Sequence, residues 1–572
     1  MNDFEKLQIQ KDCDEFLSKN NEKFEIISTL QKYLLNMKNE KYQECILFIQ
    51  NHLSTFFNDH ASAIFFYYNI IQCARFNFRN FELILDICVH FQSEMKKVKT
   101  TENELIMIGL FFSNSIFYLF SKNFFSIESI IKTSNYYTPL FIMFLPEIEE
   151  YDPECANLIE QKVIKNFENT DVKNIVSFYK AVKSDPEKHI QNRKLNYHPS
   201  VLYKSIRNDD IGTFQAILSQ NNYDINTKIE FSFYERLKTH DDDISLIQAA
   251  AVYGSLSIFK FLWMQKDIIY DDNLLKYAYC GSNPDIIHIC ENKCNPKFVY
   301  IEPIATQKFS YLDYYIENYS DQIIEYDDDV KSLIENFECD ENDKFYSILD
   351  YEGLNMTVLA FNYQVLKDCL PKIAFISKNV ELIDDYDYKR KKSLLKSAIY
   401  NMDLFKFIFS QKRKDVDIGN CGCLFKVIDH CLYSHINDGF KFLFSILKEK
   451  IDIYHIFWRS LLNNHEIFEF LIDLQMEEKE SGQLENSVYG MLKDSINFDV
   501  LLGIISIYDE DILVKIIRLY DDLLDEDNIP IFIKNLKCSI SHKMCESLIR
   551  RLSTFLPKDQ INSMNHLFSI IS

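Results

Sequence analysis

The sequence predicts an all-α fold, a helical-repeat solenoid preceded by an N-terminal helical region, and three observations carry that prediction. A pentapeptide of the form (Ile/Leu/Gly)-Phe-(Lys/Glu)-Phe-(Leu/Ile) recurs as IFKFL at 258–262, LFKFI at 404–408, GFKFL at 439–443 and IFEFL at 467–471. Such recurrence marks stacked supersecondary units, each of which buries its apolar face only against a neighbour. The 572 residues include only 11 Gly and 11 Pro, too few for the many turns that sandwiches, barrels and propellers need. Apolar residues also follow helical spacing, at Ile26, Ile27, Leu30 and Leu34 and again at Leu83, Ile84, Ile87 and Phe91.

Taken in chain order, residues 1–143 form the N-terminal helical region. Its strongest apolar run, 106–120, is broken by Ser113, Asn114 and Ser115 and is shorter than the ~20 residues that span a bilayer, so it reads as a core helix. Pro139, Pro146 and Pro153 then punctuate an acidic stretch, FLPEIEEYDPE at 144–154, which is expected to interrupt helix and to open a junction over 144–198. Its adjacent carboxylates are read as facing water. Divergent repeats follow over 199–335, degenerate ones over 336–483, and further degenerate repeats or a helical cap over 484–572.

The repeats are most legible between 200 and 290. The ankyrin consensus sets a Thr-Pro-Leu-His-x-Ala-Ala helix start before Gly-His, then a second helix with an apolar doublet. Residues 245–262, SLIQAAAVYGSLSIFKFL, fit that register without a gap. Ala250 and Ala251 stand where small side chains let paired helices approach, and Gly254 stands where the chain takes a positive φ. A preceding copy over 200–218 keeps Leu202, Ser205, Phe214, Ile217 and the closing Asn226, and a following copy over 273–290 keeps Leu275, Ala278, Ile286, Ile287 and Ile289. Asp209 and Ser282 occupy the helix-ending position of those two copies, with Gly281 adjacent, and an insertion lies around 231–243. Later pairs depart further: the turn within 393–409 is one residue short, and Asn463-Asn464 replaces Gly-His within 456–471.

Asp209-Asp210-Ile211, Asp224-Ile225-Asn226, the 245–250 helix start, Tyr253-Gly254-Ser255, FKFLW at 259–263 and IIHICE at 286–291 together resemble a large family of protist proteins with divergent ankyrin repeats. The helical N-terminal region and FLPEIEE at 144–150 are similar to the segment before the repeats in that family. The resemblance is strongest over 144–319 and only periodic beyond it. It implies an ankyrin-type array and protein binding, with no known activity.

Composition points the same way. Hydrophobic residues make up 47% and charged residues 26%, which is typical of folded chains and excludes wholesale disorder. Phe at 47 and Tyr at 34 supply large rings for the layers between stacked helices. With 62 Lys and Arg against 85 Asp and Glu, the net charge of -23 argues against a nucleic-acid or anionic-membrane partner. The acidic runs at 241–243, 327–329 and 521–527 are read as solvated. Fifteen Cys, with no basic-then-apolar leader at the start, suggest a reducing, cytoplasmic setting with thiols acting as buried hydrophobes. The basic run Lys389, Arg390, Lys391 and Lys392 leaves nuclear import open.

Chemistry-bearing clusters are sparse. Cys421, Cys423, His430, Cys431 and His435 place five potential ligands within fifteen residues, but not at a standard zinc spacing. His288, Cys290 and Cys294 read as part of a repeat helix, and His465-Glu466 lacks the second His of a zinc-protease helix. No phosphate loop, dinucleotide fingerprint or nucleophile elbow occurs, and no cofactor or metal is assigned. The reading is a non-enzymatic scaffold that binds a protein partner on the concave face of the array. Outward positions of the first helices, Lys204, Arg207, Asn208, Val252, Tyr253, Tyr277 and Cys280, are the expected contacts. The alternative is a regulatory or effector protein with catalytic or zinc-dependent activity in the C-terminal half.

Overall fold

The computed structural model describes most of residues 3–294, 398–411 and 422–482, with 487–492, 510–520 and short pieces elsewhere. The basic run at 389–392, the acidic runs at 241–243, 327–329 and 521–527, and Cys421 and His435 lie outside the described residues. Among the described residues the chain is predominantly helical, with one two-stranded hairpin. No described helix is long and apolar enough to cross a membrane. The chain divides into two compact units, Met1–Val416 and Asp417–Ser572, a coarser division than the five segments suggested by the sequence.

In the first unit, α1 (Asp3–Leu35) packs on α2 (Asn39–Asn51) and, past the short α3 (Leu53–Phe56), on α4 (His60–Phe76). It starts well before the regular stripe at Phe24, and Ile9 and Cys13 are as fully buried as Leu34. The Asp59 carboxylate opens α4 by accepting from the Ser62 amide at 2.8 Å, a favoured N-cap arrangement. Then come α5 (Phe81–His90), α6 (Gln92–Lys97), α7 (Glu102–Gly109) and α8 (Ser113–Ser121). The apolar run expected to form one helix is therefore two. Ser113, Asn114 and Ser115, which break the run in sequence, open the second helix instead, consistent with the preference of Ser and Asn for helix starts.

After α9 (Ile127–Ser134), α10 (Thr138–Tyr151) is surrounded by α8, α9, α11 (Pro153–Asn169), α12 (Lys173–Ser184) and α13 (Pro186–Arg193). Here the expected interruption is corrected. Pro139 and Pro153 sit in the first turns of helices, where a missing N–H costs nothing, and Pro146 lies inside α10, which continues through it. Every residue from Leu140 to Leu145 is buried, so the stretch read as opening a junction begins inside a buried helix.

Helix pairs follow. α14 (Val201–Arg207) pairs with α15 (Ile211–Asn221), α16 (Leu246–Val252) with α17 (Leu256–Trp263), and α18 (Asn273–Gly281) with α19 (Pro284–Glu291). First helices adjoin first helices and second helices adjoin second helices along this series. The turn positions read from the sequence are left-handed in all three pairs, with φ of 54° at Asp209, 64° at Gly254 and 55° at Ser282. Short polar side chains thus take the conformation that Gly takes most cheaply. The insertion is bracketed by the hairpin of β1 (Lys228–Ile229) and β2 (Ile244–Ser245), with Ile229 opposite Ile244. Ser245 ends the hairpin and caps α16 in a reciprocal box with Gln248. Ala250 and Ala251 are fully buried in α16. Ala251→Leu should therefore overpack the layer and cost about 1–3 kcal/mol, read as a lower urea midpoint.

The last described helix of this unit, α20 (Met402–Ser410), meets the N-terminal bundle. Phe407 stacks on Phe16 of α1 at 4.4 Å, Tyr400 stacks on Tyr68 of α4 at 4.4 Å, and Asp403 pairs with Lys23 at 2.6 Å.

In the second unit, α21 (Gly422–Tyr433) pairs with α22 (Asn437–Leu447), and α23 (Ile453–Asn463) with α24 (His465–Ser481). Again first adjoins first and second adjoins second, and α25 (Val488–Leu492) and α26 (Glu510–Leu519) pack on α24. The turn between α23 and α24 contains no left-handed residue. Asn464 alone, at φ -146°, ends one helix and begins the next, its side chain accepting from the Ile467 amide.

All four pentapeptides lie in second-helix positions or, for α20, in a helix of the same pattern. The first Phe of each, Phe259, Phe405, Phe440 and Phe468, is 0% exposed. The middle Lys260, Lys406 and Lys441 are exposed, and Glu469 is half-buried. In α17 and α24 the second Phe reaches back to the preceding pair. Phe261 meets Phe214 of α15 edge-on at 6.1 Å and 82°, and Phe470 meets Phe440 of α22 at 6.4 Å and 83°. The same contact is thus built independently in each unit.

Candidate functional site

The edge formed by the turns and first helices of the 201–294 stack is held by side-chain to backbone bonds. The Asp209 carboxylate accepts from the amides of Ser257 and Ile258, both at 3.0 Å, and so caps the second helix of the following pair. Ser255 donates to the Ile206 carbonyl at 2.5 Å, and the Asn283 amide donates to the Gly254 carbonyl at 3.0 Å. Asn226 clamps the next loop, donating to the Asp267 carbonyl and accepting from the Ile269 amide, both at 2.8 Å. Asn464 works alike in the second unit, donating to the Leu432 carbonyl at 3.2 Å.

On this scaffold the expected contact residues separate. Lys204 and Asn208 are exposed, and Arg207 and Cys280 are half-buried. Val252, Tyr253 and Tyr277 are buried, at 5%, 1% and 2% exposure, and are corrected from contact residues to core. The reason is that α16, with Val252 and Tyr253 at its end, is enclosed by α14, α17 and α18, while Tyr277 lies on α18, which packs on α16 and α19. The Tyr253 ring stands edge-on to Tyr203 at 5.3 Å and their hydroxyls lie 3.1 Å apart.

A polar cluster that the sequence reading missed lies at α10 and α13. Pro146 has no N–H for the carbonyl one turn back in α10, and the neighbouring Met143 carbonyl accepts from His189 Nε2 at 3.0 Å and from Arg193 at 2.8 Å. Arg193, itself 3% exposed, forks onto both carboxylate oxygens of Glu147 and lies over the Phe117 ring at 4.6 Å. Glu147 is therefore a paired carboxylate rather than one facing water; Glu149, as expected, is surface-exposed and pairs with Lys183. The available signal was the Pro inside an apolar run, which implies carbonyls in need of other donors.

Burial, offset in part by the Met143 carbonyl, holds the His189 imidazole down to about 4, against 6.5 ordinarily. The unfolded chain thus binds a proton between these values that the folded chain does not. Stability should be full above pH 6.5 and fall as pH drops towards 4, by at most about 1.4 kcal/mol per pH unit. Urea midpoints measured across this window should decline in the wild type and flatten in His189→Gln.

Burial pushes the Cys45 thiol up to about 12 and raises Cys73, Cys88 and Cys431 as well. Cys290 is raised by its bond to Cys294 and by burial. These are buried thiols held protonated, with little nucleophilic character at neutral pH. Among the described residues no group of three or more His, Cys, Asp and Glu is placed to hold a metal ion. Comparison of the chain with protein-family models, with curated proteins and with solved structures returns no match.

Proposed function

We propose that the chain is a non-enzymatic scaffold, an ankyrin-type array of helix pairs that holds a protein partner along the edge carried by its first helices. The observation supporting this reading is the edge-on Phe contact between successive second helices, repeated at 6.1 Å and 6.4 Å in the two units. A fixed contact between like helices leaves the same side of each pair to solvent, and a row of such sides is the binding surface of repeat proteins. At the end of α14, Lys204 and Asn208 are exposed and Arg207 is half-buried. The charged and polar tips there suit an acidic or hydrogen-bonding partner surface, with Arg207 as the anchor.

Capture of partners by the full chain, compared with Lys204→Glu combined with Asn208→Asp, tests the proposal. A partner held by the wild type should be lost, with an unchanged helical spectrum and urea midpoint. Equal capture by both chains would remove this edge from the reading.

A further inference from the structure

β1 and β2 are joined by residues 230–243, much longer than the 2–5 residues that close most hairpins. Two residues of that connection leave the hairpin for another part of the unit. The Phe233 ring stacks on Phe178 of α12, with centroids 4.4 Å apart and planes at 14°. The Tyr234 ring meets Phe178 edge-on at 5.6 Å, and its hydroxyl lies 2.8 Å from His189 Nδ1 on α13. Asn114 of α8 donates to the Tyr234 carbonyl. Three helices thus converge on one dipeptide, whose chain returns through β2 into α16, the enclosed helix of the stack.

We infer that Phe233 and Tyr234 form a latch that couples the bundle around α10 to the helix-pair stack, and that its release frees the hairpin connection while both parts stay folded. The hydrogen bonds give the latch a defined proton arrangement. The Met143 carbonyl can only accept, so His189 Nε2 carries the hydrogen and Nδ1 accepts from the Tyr234 hydroxyl. Burial pushes that hydroxyl up to about 12, so it stays a donor. The charged groups around His189 are Arg193 on its own helix and, through Arg193, Glu147 on α10; Phe178 on α12 contributes only its ring. Protonation would turn Nδ1 into a donor, which the Tyr234 hydroxyl meets only by rotating to accept, and would bury a cation beside the Arg193 guanidinium. The latch is therefore closed at neutral pH and weakens as pH falls towards 4.

Hydrogen exchange on the full chain tests the coupling with two variants, Phe233→Ala combined with Tyr234→Ala, and Tyr234→Phe. The double variant should exchange about tenfold faster or more in 178–193 and in 244–252 together, as local opening of a cooperative segment predicts. Exchange in 258–290 and 422–482 and the far-ultraviolet spectrum should not change. Unaltered exchange in either segment, or a uniform rise along Met1–Val416, would overturn the latch, since the dipeptide would then be irrelevant or merely part of a common core. Should the double variant fail to fold, Tyr234→Phe decides. It keeps the ring and removes the hydroxyl, and must give the same paired local rise, smaller in size, or the inference falls.

Discussion

Gly281→Ala should destabilise Met1–Val416 by about 3 kcal/mol or more, at the upper end of what overpacking costs. A Cβ built at Gly281 would lie 1.9 Å from the Ala251 carbonyl oxygen and 2.9 Å from that of Val252. Both are backbone atoms at the end of α16, and the first also accepts from the Gly254 amide at 3.0 Å, so neither can rotate away as a side chain would. Relief requires α16 and α18 to separate, opening the layer that contains Ala250, Ala251 and Tyr277. Gly281 is needed for this close approach; the left-handed turn belongs to its neighbour Ser282, at φ 55°. Ser282→Gly, which relieves that conformation at the loss of a bond to the Tyr279 carbonyl, should by contrast stay within about 1 kcal/mol of wild type. Urea unfolding of both variants checks the pair, and a Gly281→Ala midpoint equal to wild type would show that the helices do not approach so closely.

Arg193→Met should cost about 3 kcal/mol, because it leaves the Glu147 carboxylate without its forked donor and takes one of two donors from the Met143 carbonyl. The lower end of the range for buried pairs applies, since Glu147 keeps 25% of its side chain exposed. Adding Glu147→Leu should recover most of the loss, as an apolar pair of similar volume replaces a buried ionic one. Arg193→Lys should fall between wild type and Arg193→Met, since an ammonium keeps the charge but cannot fork onto both carboxylate oxygens. Thermal unfolding of the three variants and the wild type measures the order, and an Arg193→Met as stable as wild type would reduce the cluster to a surface ion pair.

How much of this was legible depended on which physical signal each residue carried. Helical periodicity located α5 and the second half of α1, and the recurring pentapeptide identified positions whose first Phe is fully buried in every copy. The left-handed turns were legible at Asp209 and Ser282 because only a few residue types tolerate them. The direction of Tyr253 and Tyr277 was not, because register places a residue along a helix but does not say how many neighbours enclose that helix. Pro146 misled in the opposite way. Proline ordinarily ends a helix, yet α10 continues through Pro146, and side chains 40 or more residues later donate to the neighbouring Met143 carbonyl. His189, Arg193 and Tyr234 are brought together by tertiary contact alone, so Pro146 signalled a need for donors but nothing in the sequence named them.

The contact between α1 and α20 bears on how the chain is made. Lys23 and Asp403 are 380 residues apart, and at roughly 5–20 residues per second a ribosome needs about 20 to 80 s to travel between them. Throughout that interval Phe16 has emerged without the ring it stacks on, and the N-terminal bundle must wait, incomplete, for its own far end. A nascent chain in that condition shows an unsatisfied aromatic surface to the cell for far longer than helices take to form. Helix α1 is thus finished only once α20 has been made, which makes the intervening nascent chain a natural client for chaperones and makes truncations before residue 410 prone to aggregate.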